Sequence, residues 1–265
     1  MNVTFLGTGT SHGVPQIDCM RSDYALCRND VCRKAEHDPR HRRMRTSIIV
    51  DVGGKSILID VSMDFRQQML RENIRAIDAV LMTHAHADHI GGIPDIRSYT
   101  PADGHKLDFY SSSETRQKLR QSYDYIFNPD TFVGGGIPRI QLNEIDQAFE
   151  IFGCRIIPLH VSHGAMAGCF GYRINDLAYI PDIKRIRASE KRKLAGVKVL
   201  ILDCLRIERE HSTHMILPES LALAREVAPQ RCYFTHLCHH IDYESDSALL
   251  DKGMLFAWDG LRIEG

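Results

Sequence analysis

The run from Ala79 to Gly92 constrains this chain more than any other part of it. Ala79-Val80-Leu81-Met82 is apolar throughout, long enough for a strand buried on both faces and too short for a helix. Immediately after it comes Thr83-His84-Ala85-His86-Ala87-Asp88-His89, and then Gly91-Gly92. Few structural roles ask for four metal-binding side chains in so short a stretch. On a tight loop, His84 and His86 can converge on one cation while Asp88 and His89 turn toward a second. Such a loop belongs at the end of a sheet, where a rigid strand positions polar chemistry at the surface.

The rest of the chain supplies β-rich runs on either side. Residues 3–6 read as a strand ending in Gly7-Thr8-Gly9-Thr10, and a polar, Cys- and Arg-rich excursion follows at about 15–45. Residues 46–51 and 55–60 are strands joined by Gly53-Gly54, a hairpin signal, and residues 64–72 are helical. Beyond the histidines, 107–110 is a strand, 113–121 a helix, and Gly134-Gly135-Gly136-Ile137-Pro138 a candidate mobile cover. Further strands are expected at 149–152, 155–159, 170–174, 177–180, 197–202 and 232–235, with helices near 190–194 and 218–227. Two β-rich halves, each closing with helices, predict an α+β protein of two packed sheets with helices outside, and a single domain over 1–265.

Composition narrows the function. With 43% hydrophobic and 25% charged residues the chain can bury a sizeable core. A net charge of -1 offers no overall basic field, so a small or locally gripped substrate fits better than non-specific nucleic-acid binding. No apolar run approaches a membrane span, and the amino terminus has no basic leader, so a cytoplasmic protein is expected. In a reducing compartment the eight cysteines are metal ligands where they cluster and core residues where they lie in apolar runs.

The histidine motif is similar to the signature of the metallo-β-lactamase superfamily, whose fold is an αββα sandwich. The opening FLGTGTSHGVP, the Cys-containing insertion, DPRHRRMRTS, ILIDVSMDFRQQ and THAHADHIGG resemble its phosphoribosyl 1,2-cyclic phosphate phosphodiesterase branch, with ribonuclease Z a more distant cousin. The resemblance implies a site for two divalent metals, zinc or manganese, on His84, His86, Asp88, His89, His163, Asp182 and His236. His163 stands next to Gly164, where a ligand loop can turn, and His160 is left as a strand-end or supporting histidine. Asp182 ends a strand and corresponds to the carboxylate shared by both metals; His236 follows a strand as His84 does. Asp60 corresponds to an aspartate that orients the motif loop, and His214 to a proton donor for the leaving oxygen. Asp203 is either a further family carboxylate or a strand-end cap.

The same branch carries a structural zinc on three cysteines and a histidine, which here implies Cys19, Cys27, Cys32 and His239. The wider cysteine spacing leaves Cys19 and Cys238 as alternatives for one ligand. Arg45, in a basic run beside the expected site, is a candidate grip for a phosphate. The function implied is hydrolysis of a small or cyclic ribose-type, nucleotide-like phosphodiester by metal-activated hydroxide. Transfer RNA processing of ribonuclease Z type, thioester or lactone hydrolysis, and a non-catalytic zinc-stabilised interaction module are the alternatives. A homodimer is compatible with all of them.

Overall fold

A computed structural model of the chain describes residues 1–25, 27–100, 104–132, 134 and 136–264. Two mixed sheets face each other. The first runs, in spatial order, Arg262–Glu264, Asn2–Gly7, Ser47–Val52, Lys55–Ile59, Ala79–Leu81, Leu107–Ser111, Ile140–Glu144. The second runs Arg185–Ile186, Cys154–Ser162, Phe170–Ile174, Leu177–Ile180, Val199–Asp203, Arg231–Thr235, Met254–Phe256, with Phe149–Ile151 paired outside that path to Cys154–Ser162.

The period-two alternation of the strands creates the layers. In Lys55–Ile59, Ile57 and Ile59 pack into the cluster between the sheets, against Tyr172, Tyr179 and Ile201, while Leu58 points the other way. On that outer side it meets Phe65 and Met69 of the helix Phe65–Glu72. In the second sheet Ile201 faces inward, and Leu200 and Leu202 face out to Leu221 and Ala224 of the helix Leu217–Val227. The result is the αββα sandwich. Gly53 and Gly54 make the turn between the two strands at φ of 59° and 78°, the left-handed region that a two-residue hairpin of this kind needs.

Four strands fall outside the sequence expectation: Ile140–Glu144, Arg185–Ile186, Met254–Phe256 and Arg262–Glu264. Each lies at or near a sheet edge, where half-exposed residues dilute the apolar pattern. Arg262–Glu264 closes the first sheet by pairing with Asn2–Gly7, a contact between the two ends of the chain. Part of the predicted cover, Gly135, lies outside the described residues.

Candidate metal centre

Parallel pairing brings the functional residues to one edge of the sandwich. Lys55–Ile59 and Ala79–Leu81 run parallel in the first sheet, as do Leu177–Ile180, Val199–Asp203 and Arg231–Thr235 in the second. Asp60, Thr83, Asp182, Asp203 and His236 stand at or just beyond their carboxyl ends. Two hydrogen bonds clamp the sheets together here, from the Tyr172 hydroxyl to the Met82 carbonyl at 2.6 Å and from the Phe170 amide to the Thr83 carbonyl at 2.9 Å.

Asp60 organises the motif loop. It is fully buried, with backbone at φ 64°. Its Oδ1 accepts the Thr83 amide at 2.8 Å, and its Oδ2 accepts the Thr83 hydroxyl and His89 Nδ1, each at 2.7 Å. The loop then turns into the short helix Ala87–Ile90, so that Asp88 and His89 leave it in a different direction from His84 and His86. Gly92 permits that turn, because a Cβ there would meet the Ser62 carbonyl oxygen at 2.2 Å.

Proton bookkeeping shows what the site can hold. The Thr83 hydroxyl donates to Asp60 and so accepts from His84 Nδ1 at 3.0 Å, leaving His84 Nε2 a bare lone pair. His163 Nδ1 must donate to the Thr213 carbonyl at 3.0 Å, which bares its Nε2 as well. Both bare nitrogens converge on His86 Nδ1, at 2.8 and 3.3 Å. His89 gives its Nδ1 proton to Asp60, and its Nε2 faces Asp88 Oδ2 at 3.4 Å and Asp182 Oδ2 at 3.2 Å. His236 Nε2 stands 3.3 Å from Asp182 Oδ1 and 3.7 Å from Asp88 Oδ2. His89 Nε2, His236 Nε2 and Asp182 Oδ2 are all buried without a hydrogen-bond partner. Acceptors facing acceptors repel unless positive charge sits among them, as protons or as metal cations.

The electrostatics follow the same logic. Burial drives His84 well below the ordinary imidazole range and takes His163 down to about 4, which keeps both neutral and able to ligate. Burial also opposes charge on Asp182, but His236 and His89 outweigh it and hold its carboxyl well below the usual carboxylate range. The nitrogens of His84, His86 and His163 form one group with all members within 4.8 Å of one another; Asp88, His89 and His236 form another; and Asp182 stands within the same distance of His84 and His89. The donor set, imidazoles with a carboxylate, suits divalent metal cations.

Comparison with known proteins agrees with this geometry. Residues 55–237 match the family model described as a beta-lactamase superfamily domain. The chain belongs to the metallo-β-lactamase superfamily. Among solved structures of the superfamily, it is similar to a diphosphatase of the PhnP family, with 36% identity and a TM-score of 0.87 over 100% of this chain and 97% of that one. Among curated relatives, it is 33% identical over 98% of its length to an octanoyltransferase of Porphyromonas gingivalis, of which it spans only 51%. A coenzyme PQQ synthesis protein B of Methylobacterium radiotolerans is 29% identical over 77% of this chain and 72% of that protein. A metal-dependent hydrolase is the general description these superfamily relationships support. No helix among the described residues is long and apolar enough to cross a membrane.

The remaining expected residues are placed as follows. His214 lies beside the superfamily site, with Nδ1 2.9 Å from Asp203 Oδ2 and 3.7 Å from Asp182 Oδ1. Burial opposes its charge, but the Asp203 carboxylate prevails and raises it to about 9. Asp203, which the sequence left between two roles, also accepts the Ile183 amide at 3.0 Å, so it positions His214 and ties two strand ends together. His160 is away from the centre: its Nε2 pairs with Asp146 at 3.1 Å and its ring meets Phe170 edge-on.

Arg45 directs its Nη1 to Asp64 at 3.1 and 3.2 Å and its Nε to the Ser11 carbonyl at 3.0 Å, which fixes the guanidinium beside the loop after the first strand. Of the alternatives for the cysteine cluster, the structure brings in Cys19 and leaves out Cys238. The Sγ atoms of Cys19, Cys27 and Cys32 and a nitrogen of His239 lie within 4.8 Å of one another, with Cys19 Sγ 2.9 Å from His239 Nδ1. Cys238 is buried at the start of the same loop, where its amide donates to Leu205. The His239 ring faces the cluster and its neighbour does not, so spacing along the chain could not choose between them.

Proposed function

We propose that this chain hydrolyses a small or cyclic ribose-type phosphodiester, using two divalent cations. His84, His86 and His163 would hold one, Asp88, His89 and His236 would hold the other, and Asp182 stands between the two groups as a further ligand. The observation that carries the reading is the Asp182 carboxylate, whose two oxygens stand 3.2 and 3.3 Å from His89 and His236, and 3.9 Å from His163. When bound, the cations acidify a water and neutralise charge on phosphoryl oxygens. The protein's own part is to hold their ligands bare and to keep a proton at hand. Asp203 occupies His214 Nδ1, so Nε2 is the nitrogen from which a proton reaches the leaving oxygen. The diphosphatase relative supports phosphoryl chemistry as the reaction type.

The octanoyltransferase relative favours a second reading, hydrolysis of an acyl thioester, although this chain spans only 51% of that protein. Metal-loaded protein assayed in parallel on a cyclic phosphodiester, a linear phosphodiester, an octanoyl thioester and a lactone separates the two. Metal-dependent turnover is expected on a phosphodiester. Turnover of the thioester or lactone with none on either diester would overturn the proposal.

The cysteine cluster is proposed to hold one structural zinc. Its surroundings call for one: the excursion buries only a small apolar group, Val14, Cys19, Val31, Cys32 and Ala35, and turns repeatedly through left-handed backbone at Asp23, Tyr24, Asn29 and Asp30. So small a core leaves folding energy to be supplied by a Cys3His ligand set with no position open to water. Fully loaded protein is therefore expected to carry three metals per chain, one of them resisting chelators that strip the other two. Cys32→Ser should lose that one and melt at a lower temperature; unchanged zinc content and stability would remove the site.

A further inference from the structure

In the basic run 40–45, Arg43 is buried at 1% exposure, whereas Arg40 and Arg42 lie at the surface. The backbone takes it inward. Residue 43 exchanges both of its hydrogen bonds with Val14 at 2.9 Å, and Gly9 lets the segments approach, since a Cβ there would meet the Arg43 carbonyl oxygen at 2.7 Å.

The buried guanidinium is held by neutral oxygens. Its Nη1 donates to the Cys238 carbonyl and its Nη2 to the Ile241 carbonyl, both at 2.6 Å, and its Nε donates to the Tyr243 hydroxyl at 3.2 Å. The Tyr243 ring centroid lies 4.5 Å from the charge. Removing a cation from water against dipoles alone costs solvation that an apolar side chain would not lose. What arginine supplies in return is geometry, a rigid planar fork that fixes the separation of two acceptors. The two carbonyls it spans bracket His239 and His240.

That segment serves two sites. It leaves the strand Arg231–Thr235 at His236, whose backbone stands at φ 60°, a left-handed conformation that a residue with a side chain keeps where its surroundings impose it. Three residues later, His239 Nδ1 stands 2.9 Å from Cys19 Sγ and 3.7 Å from Cys32 Sγ. The Leu237 amide, donating to the Thr8 carbonyl at 2.8 Å, and the Cys238 amide, donating to the Leu205 carbonyl at 2.9 Å, secure the start of the segment. Beyond them the Arg43 fork closes the bend, helped by the Ile241 amide, which donates to the Cys238 carbonyl at 3.3 Å.

We propose that Arg43 is a positioning residue for two metal sites at once. By fixing the bend 238–241 it holds His236 toward the second active-site cation and His239 toward the cysteines, so that filling either site favours filling the other. The inference rests on the two metal assignments proposed above and is independent of which ester the enzyme cleaves.

Manganese titration tests the first arm, because thiolates favour softer ions and leave manganese to the active site. Calorimetry on protein with its active site emptied and its structural zinc retained should show Arg43→Lys, which keeps the charge and loses the fork, weakening the second cation by about 10 to 100-fold. The first cation, on His84, His86 and His163, should bind as in wild type, since no atom of this segment belongs to that group. For the second arm, zinc release on thiol alkylation, read with a chromogenic indicator, should be faster in Arg43→Lys. Manganese in the active site should slow that release in wild type and not in the variant. A lower melting temperature with both cations weakened equally, or with manganese protecting the zinc alike in both proteins, would mean that Arg43 only supports the fold and would overturn the proposal. Should the lysine variant not fold, Tyr243→Phe, which removes only the Nε acceptor, should show the same selective loss at about 2 to 10-fold, and no selective loss there overturns it equally. If the wild type binds a single active-site cation, the dinuclear reading fails and the zinc release rates decide Arg43; if its cysteines hold no zinc, the manganese titration decides.

Discussion

Asp88→Ala should reduce phosphodiester hydrolysis by about a thousandfold or more, the rate equivalent of roughly 4 kcal/mol of lost charge stabilisation. The carboxylate is only 8% exposed and stands 3.4 Å from His89 and 3.7 Å from His236. Without it Asp182 is the one carboxylate left facing their Nε2 atoms, and the second cation is expected to leave. The first group, His84, His86 and His163, contains no atom of Asp88, so one metal should remain. Folding should be little affected, because the side chain lies at the rim of the sandwich and packs into no apolar cluster. Metal analysis of the variant and its rate at saturating metal check the expectation together; near-normal rates would remove the dinuclear assignment.

His214→Ala is expected to discriminate between leaving groups. An alkoxide departing from ribose is strongly basic and needs a proton as its bond to phosphorus breaks, whereas a nitrophenolate can leave without one. The drop on a sugar or alkyl diester should be about 100 to 10,000-fold, the usual range for a positioned general acid, and much smaller on a nitrophenyl diester. The Asp203 pair raises His214 to about 9, against the opposing effect of burial, so the acid form persists at neutral pH. Activity that needs this acid should fall as pH climbs past that value, and the alanine variant should lose that basic limb on the sugar ester. Equal losses on both substrates would point instead to ordering of Asp182, 3.7 Å away, and the proton-donor role would be withdrawn.

How much was legible beforehand differed residue by residue. The motif His84 to His89 could be read because all four donors and the strand that presents them are contiguous, so local spacing carries the geometry. His163, Asp182 and His236 could be named only through the family resemblance. Each is one histidine or aspartate after a strand, and only the neighbouring Gly164 set His163 apart from His160, which the structure turns outward to Asp146. For Arg45 the basic neighbourhood is visible along the chain, and its partner Asp64 is not.

The sequence alone determined the layers. Alternation in runs such as 55–60 and 170–180 decides which side chains enter the space between sheets, a period-two rule that needs no knowledge of partners. Tertiary structure decided everything that depends on which strands lie side by side. Parallel pairing of Leu177–Ile180, Val199–Asp203 and Arg231–Thr235 carries Asp182, Asp203 and His236 to one edge, and the pairing of Arg262–Glu264 with Asn2–Gly7 joins the chain's ends. It also settled Cys19 over Cys238, because a side chain's direction at a loop is set by the surfaces that loop packs between. Local periodicity reports burial through the residue's own chemistry, whereas a site made from distant segments exists only once long-range contacts have closed the loops between them.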